Sequence, residues 1–305
     1  MAQETHISWT KSTWNPWIGC SKVSAGCQYC YAEALMDKRY GRVQWGPSGT
    51  RSKTSLSNWR DPVRWNRKAA RSGEEWRVFC ASLADIFEDW RDQVADHKGQ
   101  PLFRCTLCDS EELCRVCMIC TGNNVVPLTL DHLRKDLFRL VENTPHLTWL
   151  LLTKRPENVR SMIPSWWWDK PQHNVWYGTS TEDQENLEKR LPELARIPAT
   201  RRFLSVEPML GPLEFASARG IESVSWAIFG GESAQGGAAA RRCEPGWIED
   251  GIAQCRKLDI APFVKQLGSN CGLVLEESHG ANPAEWPEAL RVQEVRVVHA
   301  YTGFE

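Results

Sequence analysis

The sequence predicts an α/β fold: a full or partial (β/α) barrel of parallel strands that carries a cysteine-rich metal-binding insertion. Short apolar, β-branched or aromatic runs alternate with helix-like segments about seven times along the 305 residues. These runs are apolar almost throughout, which is typical of parallel strands that are covered by helices. No Pro- and Ser-rich linker divides the chain, so we expect residues 1–305 to form one domain.

The strands are recognised as β-branched and aromatic runs that end in polar or glycine-rich turns. We expect a first short strand within Trp14–Ile18. The later strands are predicted at Trp76–Ser82, Leu147–Thr153, Val175–Thr179, Arg202–Val206, Ser225–Gly230 and Ala261–Lys265.

Helices are expected between these strands. They are predicted at Tyr31–Tyr40, Leu128–Glu142, Thr181–Ala195 and Pro245–Lys257. The third follows the hydroxyl of Ser180 and has carboxylates at Glu182 and Asp183. Such side chains are typical of a helix start, because they accept hydrogen bonds from unpaired backbone N–H groups.

Polar side chains follow several of the predicted strands. In (β/α) barrels the active site lies at the carboxyl ends of the strands. The residues at these ends are Asp85, Thr153–Arg155, Thr179–Ser180, Glu207, Gly230–Glu232 and Lys265. This mixture of acids, bases and hydroxyls predicts a polar pocket at one rim; alternatively, each residue caps a helix or pairs with a neighbour.

The overall composition is that of a globular protein, with 42% hydrophobic and 25% charged residues. The most apolar stretch, Leu147–Leu152, is far shorter than the roughly 18 residues of a membrane span. The first residues lack the pattern of a signal peptide, so we expect a cytoplasmic protein with no membrane partner. The net charge of −1 excludes a uniformly basic nucleic-acid binder. No serine-hydrolase elbow, P-loop or zinc-protease motif occurs.

Twelve cysteines are unusual for a chain with no export signal, and they favour metal or cluster binding over disulfides. Three of them, Cys20, Cys27 and Cys30, have the spacing C-x6-C-x2-C in the loop between the first strand and the first helix. Three thiolates on a [4Fe–4S] cluster leave one iron open for a small ligand. A zinc ion would need a fourth ligand, which a side chain of the rim could supply.

Motifs along most of the chain carry a resemblance to a known family. They are Trp14–Pro16, Gly19–Cys20, Gly26–Cys27, Cys30–Glu33, Leu152–Pro156, Trp176–Gly178, Ser205–Pro208, Leu210–Pro212, Phe229–Ser233 and Pro262–Gln266. As a set they resemble a phage-associated family of uncharacterised proteins with a three-cysteine motif. That family is similar in turn to radical S-adenosylmethionine (SAM) enzymes, whose cluster loop has an aromatic residue, here Tyr29, before its last cysteine.

The resemblance implies that Cys20, Cys27 and Cys30 hold a [4Fe–4S] cluster whose fourth iron is chelated by SAM. An electron from the reduced cluster then cleaves a C–S bond of SAM and gives a 5′-deoxyadenosyl radical, which abstracts hydrogen from the substrate. An electron donor such as a flavodoxin or ferredoxin is implied. The first cysteine gap is six residues here, against three in most radical SAM enzymes.

Other candidate site residues lie at the predicted rim. The sequence Gly230-Gly231-Glu232 resembles the glycine-glycine-glutamate that contacts the amino group of SAM, although it follows about the sixth strand here and the second strand in those enzymes. The candidate catalytic residues are Glu207 and Lys154, and further candidate cofactor contacts are Tyr29 and Ser180.

A second cysteine group lies in the predicted insertion, at about residues 97–124. Its members are Cys105, Cys108, Cys114, Cys117 and Cys120. The first four have paired C-x2-C spacings that suit tetrahedral zinc. Alternatively, the last three form a ferredoxin-like C-x2-C-x2-C run for an auxiliary [4Fe–4S] cluster, with Cys105 or Cys108 as the fourth ligand. Both readings stay open.

The segment from Lys38 to Arg77 is basic, with 11 Lys and Arg against three Asp and Glu. Tryptophans are interleaved with its arginines, which is a pattern that binds phosphates and stacks on bases. The alternative is a solvated basic loop and helix whose tryptophans pack inward.

The leading hypothesis for the whole chain is a radical SAM-type enzyme that modifies or repairs a nucleic acid or nucleotide. The alternative is a non-catalytic or redox-sensing iron–sulfur or zinc protein that binds nucleic acid.

Overall fold

A computed structural model describes Thr5 and residues 7–106, 124–235 and 237–295. Within them, seven parallel strands form one sheet that curls into a half-barrel flanked by helices. The prediction of a partial (β/α) barrel is confirmed. No helix of the described part of the chain is long and apolar enough to cross a membrane.

The strands in chain order are β1 (Ser12–Thr13), β2 (Trp17–Ile18), β3 (Ser52–Lys53), β4 (Trp76–Cys80), β5 (Phe103–Cys105), β6 (Val125–Pro127), β7 (Leu147–Thr153), β8 (Val175–Ser180), β9 (Arg201–Val206), β10 (Trp226–Gly230) and β11 (Ala261–Gln266). The half-barrel has the order β1-β4-β7-β8-β9-β10-β11. The other strands form two antiparallel pairs, β2 with β3 and β5 with β6.

The helices are α1 (Tyr31–Glu33), α2 (Leu56–Ser72), α3 (Leu130–Glu142), α4 (Pro156–Met162), α5 (Trp166–Asp169), α6 (Gln184–Ala195) and α7 (Pro245–Lys257). Helix α1 continues directly as a π-helix, Ala34–Arg39. Short 3₁₀ turns lie at Ala25–Cys27, Ile221–Ser223, Pro283–Glu285 and Glu288–Leu290.

A strand, β2, does lie within Trp14–Ile18 as predicted, but it is not the first strand and does not join the half-barrel. The strand that joins the half-barrel is β1, two residues earlier, where Ser12 lies beside Val78 in register. Strand β2 belongs to the separate pair with β3. The chain leaves the sheet between the two, where Asn15 binds Leu83 and Ser82 instead of a neighbouring strand.

Helix α6 begins three residues later than the sequence suggests. Asp183 is its N-cap and accepts a hydrogen bond of 2.8 Å from the backbone of Asn186. Residues 181–183 therefore stay outside the helix, which leaves Glu182 at the carboxyl end of β8. This position matters for the site below.

The concave face of the half-barrel is apolar toward the amino ends of the strands. It carries an aromatic cluster that is packed around Trp9, whose ring centroid lies 4.6 Å from that of Phe79 and 6.0 Å from that of Trp226. The other members of this cluster are Leu150, Trp176, Phe203, Ile228, Ala261 and Phe263. The opposite face of the sheet packs against the helices in a separate, larger core.

The same concave face becomes polar at the carboxyl ends of the strands. Side chains of a strand alternate between the two faces, so residues two and four positions apart share a face. Ser180 therefore shares the face of Trp176, and Glu207 shares that of Phe203. By the same rule Lys154 and Lys265 face the concave side. The aromatic cluster thus closes the half-barrel below a polar end.

Replacing Gly178 by Ala tests how tightly the concave face is packed. A Cβ at Gly178 would lie 2.3 Å from Cζ of Phe203, and both residues belong to central strands. We expect Gly178→Ala to lower the free energy of unfolding by about 1–3 kcal/mol through overpacking. Urea unfolding measures it. Gly211→Ala is the control, because nothing lies within 4 Å of its Cβ position, and an equal loss there would contradict the argument.

Candidate functional site

Two hydrogen-bonded pairs of side chains lie at the polar end of the concave face. The Lys154 ammonium donates a hydrogen bond of 2.9 Å to the Ser180 hydroxyl. The Lys265 ammonium donates to the Glu207 carboxylate. Gly230 lies beside the second pair, since a Cβ there would come within 3.2 Å of Cγ of Glu207. The structure therefore pairs Lys154 with Ser180 and Glu207 with Lys265, and the sequence singles out all four residues.

The segment Gly19–Cys30, here called the cysteine loop, is held against this end of the half-barrel. Its Ser24 hydroxyl and its Gly26 N–H both donate to the carboxylate of Glu182. Glu182 is fully buried and also accepts a hydrogen bond of 2.7 Å from Arg190. Burial alone would raise the pKa of Glu182, but the cations of Lys154 and Arg190 lower it below its usual value. The carboxylate stays charged and holds the loop.

Arg241 is a second anchor of the cysteine loop. Its Nη1 donates a hydrogen bond of 2.8 Å to the carbonyl of Ala25, and its guanidinium lies 5.2 Å from the centre of the Tyr29 ring. Both carboxylate oxygens of Glu232 accept hydrogen bonds from Arg241, at 2.9 Å for Nε. In this structure Glu232 therefore positions the arginine that holds the loop. Its predicted contact with the amino group of SAM stays a prediction.

The glycines before Glu232 have a packing role. A Cβ at Gly231 would lie 2.1 Å from the carbonyl oxygen of Leu267, so only glycine allows this close approach of two backbones. The Gly230–Glu232 turn thereby brings the Glu232 carboxylate to Arg241. This packing does not require a cofactor, and the predicted cofactor role of Gly230 and Gly231 stays a prediction.

Arg155 is the third anchor and lies under the first cysteine. It donates hydrogen bonds of 2.9 Å to the carbonyl of Ser21 and to the Asp85 carboxylate. Its Nη1 also lies 3.7 Å from Sγ of Cys20. Asp85 in turn accepts from the Thr153 hydroxyl at 2.7 Å and from the backbone of Lys154 at 3.0 Å. The carboxyl end of β7 is thus connected to the loop through buried charges.

A buried ion pair supports this anchor from below. The Arg51 guanidinium, which is 0% exposed, donates to both oxygens of Glu88 at 2.7 and 2.8 Å. Glu88 also accepts from the hydroxyl of Ser21. Arg51 reaches its position because Gly19, at a positive φ of 114°, lies against the carbonyl of Thr50. A Cβ there would come within 2.5 Å of that oxygen.

The cysteine loop carries three thiols, the type of donor that binds iron–sulfur clusters. Cys20, Cys27 and Cys30 are all partly exposed on one short loop. Burial raises the pKa of the Cys20 thiol, and the carboxylates of Glu88 and Asp85 raise it further. Burial also raises the pKa of Cys30. Without a metal these two thiols are therefore neutral, and binding a metal would release protons.

The described side chains do not yet converge on one ion. No group of three or more His, Cys, Asp or Glu side chains in the described residues could hold a metal ion as they stand. In a cubane cluster the three thiolates bind three different irons, so they need not converge on one point. In a mononuclear zinc site, by contrast, all ligands lie about 2.0–2.3 Å from one atom.

The second cysteine group lies mostly outside the described residues. Cys105 is buried at the end of β5, and Cys108, Cys114, Cys117 and Cys120 lie outside the described part. Strands β5 and β6 pair at the two ends of this segment, where the backbone N–H of Thr106 donates to the carbonyl of Asn124 at 2.9 Å. The choice between zinc and an auxiliary cluster stays open.

The tryptophans of the basic segment pack inward. Trp65 and Trp76 are buried, and Trp59 packs at the edge of the same core as Trp14. The alternative of a solvated basic helix with inward tryptophans is therefore the correct description of α2. These rings cannot stack on bases of a bound nucleic acid.

Several residues of the site gave no signal in the sequence. These are Arg51, Glu88, Arg190 and Arg241. Each lies outside the strand ends on which the sequence argument rests. Arg51 and Arg241 have partners 37 and 216 residues away, and Arg190 bonds Glu182, eight residues earlier. Their positions could have been found only from the fold, since no spacing links Arg241 to the cysteine loop.

Comparison with protein families gives one match. The family model described as "Protein of unknown function (DUF5131)" matches residues 4–106 and 123–289. The chain belongs to this family. The match to DUF5131 is interrupted across residues 107–122, which lie within the predicted insertion. The DUF5131 description mentions no phage association, cysteine motif or SAM chemistry.

Two other comparisons add nothing to the DUF5131 assignment. No curated protein and no solved structure gives a significant match to the chain. The function of this DUF5131 chain therefore has to be argued from its own residues.

Removing one partner of the buried Arg51–Glu88 pair should be costly. Arg51→Met leaves the Glu88 carboxylate buried without its main cation, and we expect a loss of about 3–5 kcal/mol in the free energy of unfolding. The double variant Arg51→Met/Glu88→Gln removes that unpaired charge, so it should regain at least about 1 kcal/mol over Arg51→Met. Urea unfolding of both variants and of Glu88→Gln gives the coupling. Simple additivity of the two single losses would contradict the pairing.

Loss of Arg241 should loosen the cysteine loop without unfolding the half-barrel. Its partly exposed ion pair and hydrogen bonds are worth about 1 kcal/mol, so Arg241→Ala should speed amide exchange of residues 24–29 about fivefold. Hydrogen–deuterium exchange with mass spectrometry measures this. The control is Arg242→Ala, which removes a neighbouring arginine that pairs with Glu244 at 2.7 Å. Faster loop exchange in both variants would argue against a specific anchor.

Proposed function

We propose that this DUF5131 chain is a radical SAM-type iron–sulfur enzyme in which Cys20, Cys27 and Cys30 hold a [4Fe–4S] cluster. One observation carries the proposal: the cysteine loop is anchored above the polar end of the half-barrel, where parallel-strand enzymes have their active sites. Three independent anchors keep it there, on Glu182, Arg155 and Arg241.

The three thiols leave room for a small chelating ligand. A cubane has four irons, so three cysteines leave one iron for SAM. When bound, the cluster would supply the electron that cleaves SAM reductively and generates a 5′-deoxyadenosyl radical. An electron donor such as a flavodoxin or ferredoxin would be its partner.

Lys154 is suited to hold an anionic group. Its ammonium has three donors, of which Ser180 accepts one, and it forms no ion pair within the described residues. The other donors are available for the carboxylate of SAM or a phosphate of the substrate. The charge of Lys154 also acts to lower the pKa of the Cys30 thiol, so this ammonium lies near the cysteine loop.

Glu207 is suited to accept a hydrogen bond from an amine or hydroxyl. Lys265 holds its carboxylate, and the side chains of both are about one-fifth exposed, so the pair is open to a ligand. The aromatic cluster around Trp9 closes the concave face below the pair and keeps water from that side. A radical reaction benefits from such shielding, because the protein's task is orientation and the exclusion of side reactions.

Anaerobic reconstitution with iron and sulfide tests the proposal. We expect release of 5′-deoxyadenosine after addition of dithionite and SAM, and a change in the electron paramagnetic resonance of the reduced cluster when SAM is added. Cys27→Ala should lose about four irons per chain and all SAM cleavage, because the cluster then lacks one of three thiolates. Cys255→Ala, at a buried cysteine of α7, is the matched control and should keep both.

Other outcomes identify the alternative function. Iron in the cysteine loop without SAM cleavage indicates a non-catalytic or redox-sensing protein. Zinc without iron indicates a zinc-stabilised binding module. Unchanged product formation in Cys27→Ala contradicts the proposed cluster ligands.

A further inference from the structure

An exposed basic and aromatic surface follows the cysteine loop directly along the chain. It comprises Lys38, Arg39, Tyr40 and Arg42, here called the Tyr40 platform. Tyr40 is 52% exposed. The guanidinium groups of Arg39 and Arg42 lie 5.5 and 5.8 Å from the centre of its ring, and neither forms an ion pair within the described residues.

The backbone presents Tyr40 in a defined position. The π-helix ends at Arg39, and the N–H of Tyr40 donates to the carbonyl of Leu35 at 3.1 Å. Gly41 then turns the chain at a positive φ of 57°, and the N–H of Arg42 donates to the carbonyl of Met36 at 2.8 Å. π-Helical turns are frequent at functional sites. Here the turn holds two cations and one exposed ring together.

The surroundings of the platform favour an anionic partner. The sequence contains no Asp or Glu from Lys38 to Arg60. The nearest acid along the chain, Asp37, accepts a hydrogen bond of 2.7 Å from the backbone of Trp45 and lies 3.6 Å from the Lys38 ammonium. Glu33 lies 4.0 Å from the same ammonium, so these two acids face Lys38 and not the two arginines. Arg39 and Arg42 can therefore attract phosphates.

We propose that the Tyr40 platform binds a single strand of nucleic acid and leads it toward the polar end of the half-barrel. Arg39, Arg42 and Lys38 contact phosphates, and an unpaired base stacks on Tyr40 in place of one guanidinium. A base within a duplex cannot reach the ring in this way. The inference deepens the proposed function by naming its substrate class, and rests on it only for the reaction that follows binding.

The distance between the platform and the cysteines suits such a strand. The nine residues Tyr31–Arg39 join Cys30 to the platform, and six of them form the π-helix, which rises less per residue than an α-helix. At the α-helical 1.5 Å per residue the segment would be about 14 Å long, so it is shorter than that. About three stacking steps of a strand, at about 3.4 Å each, fit within this length. Two further exposed apolar side chains are Val23, 46% exposed within the cysteine loop, and Tyr31, 43% exposed directly after it.

The other basic surface, on α2, lacks an exposed ring. Its arginines include Arg67 and Arg71, both exposed, but of its two tryptophans Trp65 is buried and Trp59 is half-buried against the core. This face can attract phosphates but cannot stack on bases. It therefore provides a control of equal charge in the same protein.

Fluorescence anisotropy with a labelled 12-nucleotide single strand tests the platform. We expect Tyr40→Ala to weaken binding about tenfold, the loss of one base stack, and Tyr40→Phe to retain it. Arg39→Gln/Arg42→Gln should weaken binding and reduce the slope of log affinity against log salt by about 1.4, since each phosphate contact of a single strand contributes about 0.7. Arg67→Gln/Arg71→Gln should change the affinity less than twofold. Melting temperatures check that each variant is folded.

Three results would overturn the platform. Equal losses of affinity in the two double variants would indicate a diffuse attraction of any polyanion. Tighter binding of a duplex than of the single strand, or no binding by the unchanged chain, would also contradict it. The test does not depend on SAM cleavage, because binding is measured without dithionite or SAM. Strand binding without SAM cleavage supports the platform and contradicts the proposed function. SAM cleavage without strand binding supports the proposed function and contradicts the platform.

Discussion

The position of the cysteine loop depends on one buried ion pair, between Arg51 and Glu88. A guanidinium with no exposed surface is tolerable in a protein only when its donors are used, and here they are shared among Glu88 and the carbonyls of Thr50 and Gly46. Glu88 also accepts a hydrogen bond from the hydroxyl of Ser21, the residue after the first cysteine, and so fixes its position. The buried charges therefore fix the start of the cysteine loop, which lies above the candidate site.

The half-barrel divides its concave face into two chemical regions by strand alternation alone. Every second residue of β7–β11 faces inward, with apolar side chains such as Trp176 and Phe263 nearer the amino ends and Lys154, Ser180, Glu207 and Lys265 at the carboxyl ends. The consequence is an apolar floor, to which Trp9 from the segment before β1 contributes, and a polar mouth. The cysteine loop then needs only to reach over this mouth, and Glu182, Arg155 and Arg241 hold it at three places.

Sequence patterns predicted the parts of this structure that repeat and failed where contacts are distant. Strand β7 and helix α7 have the predicted bounds, because apolar periodicity is a local property. The first strand was misplaced, since Asn15 bonds across the fold instead of within a strand. Lys154, Ser180 and Glu207 could be predicted as neighbours because parallel strands end at one rim. Arg241 could not, because its partner Ala25 lies 216 residues away.

That separation has a consequence for how the protein matures. A ribosome adds about 5–20 residues per second, so about 10–40 s pass between the synthesis of Ala25 and that of Arg241. Arg155 and Glu182 are also made after the loop, and Arg241 is the last of the three anchors to be synthesised. The loop therefore reaches its final hold only after translation has passed β10, so its position is completed late in the synthesis of each molecule.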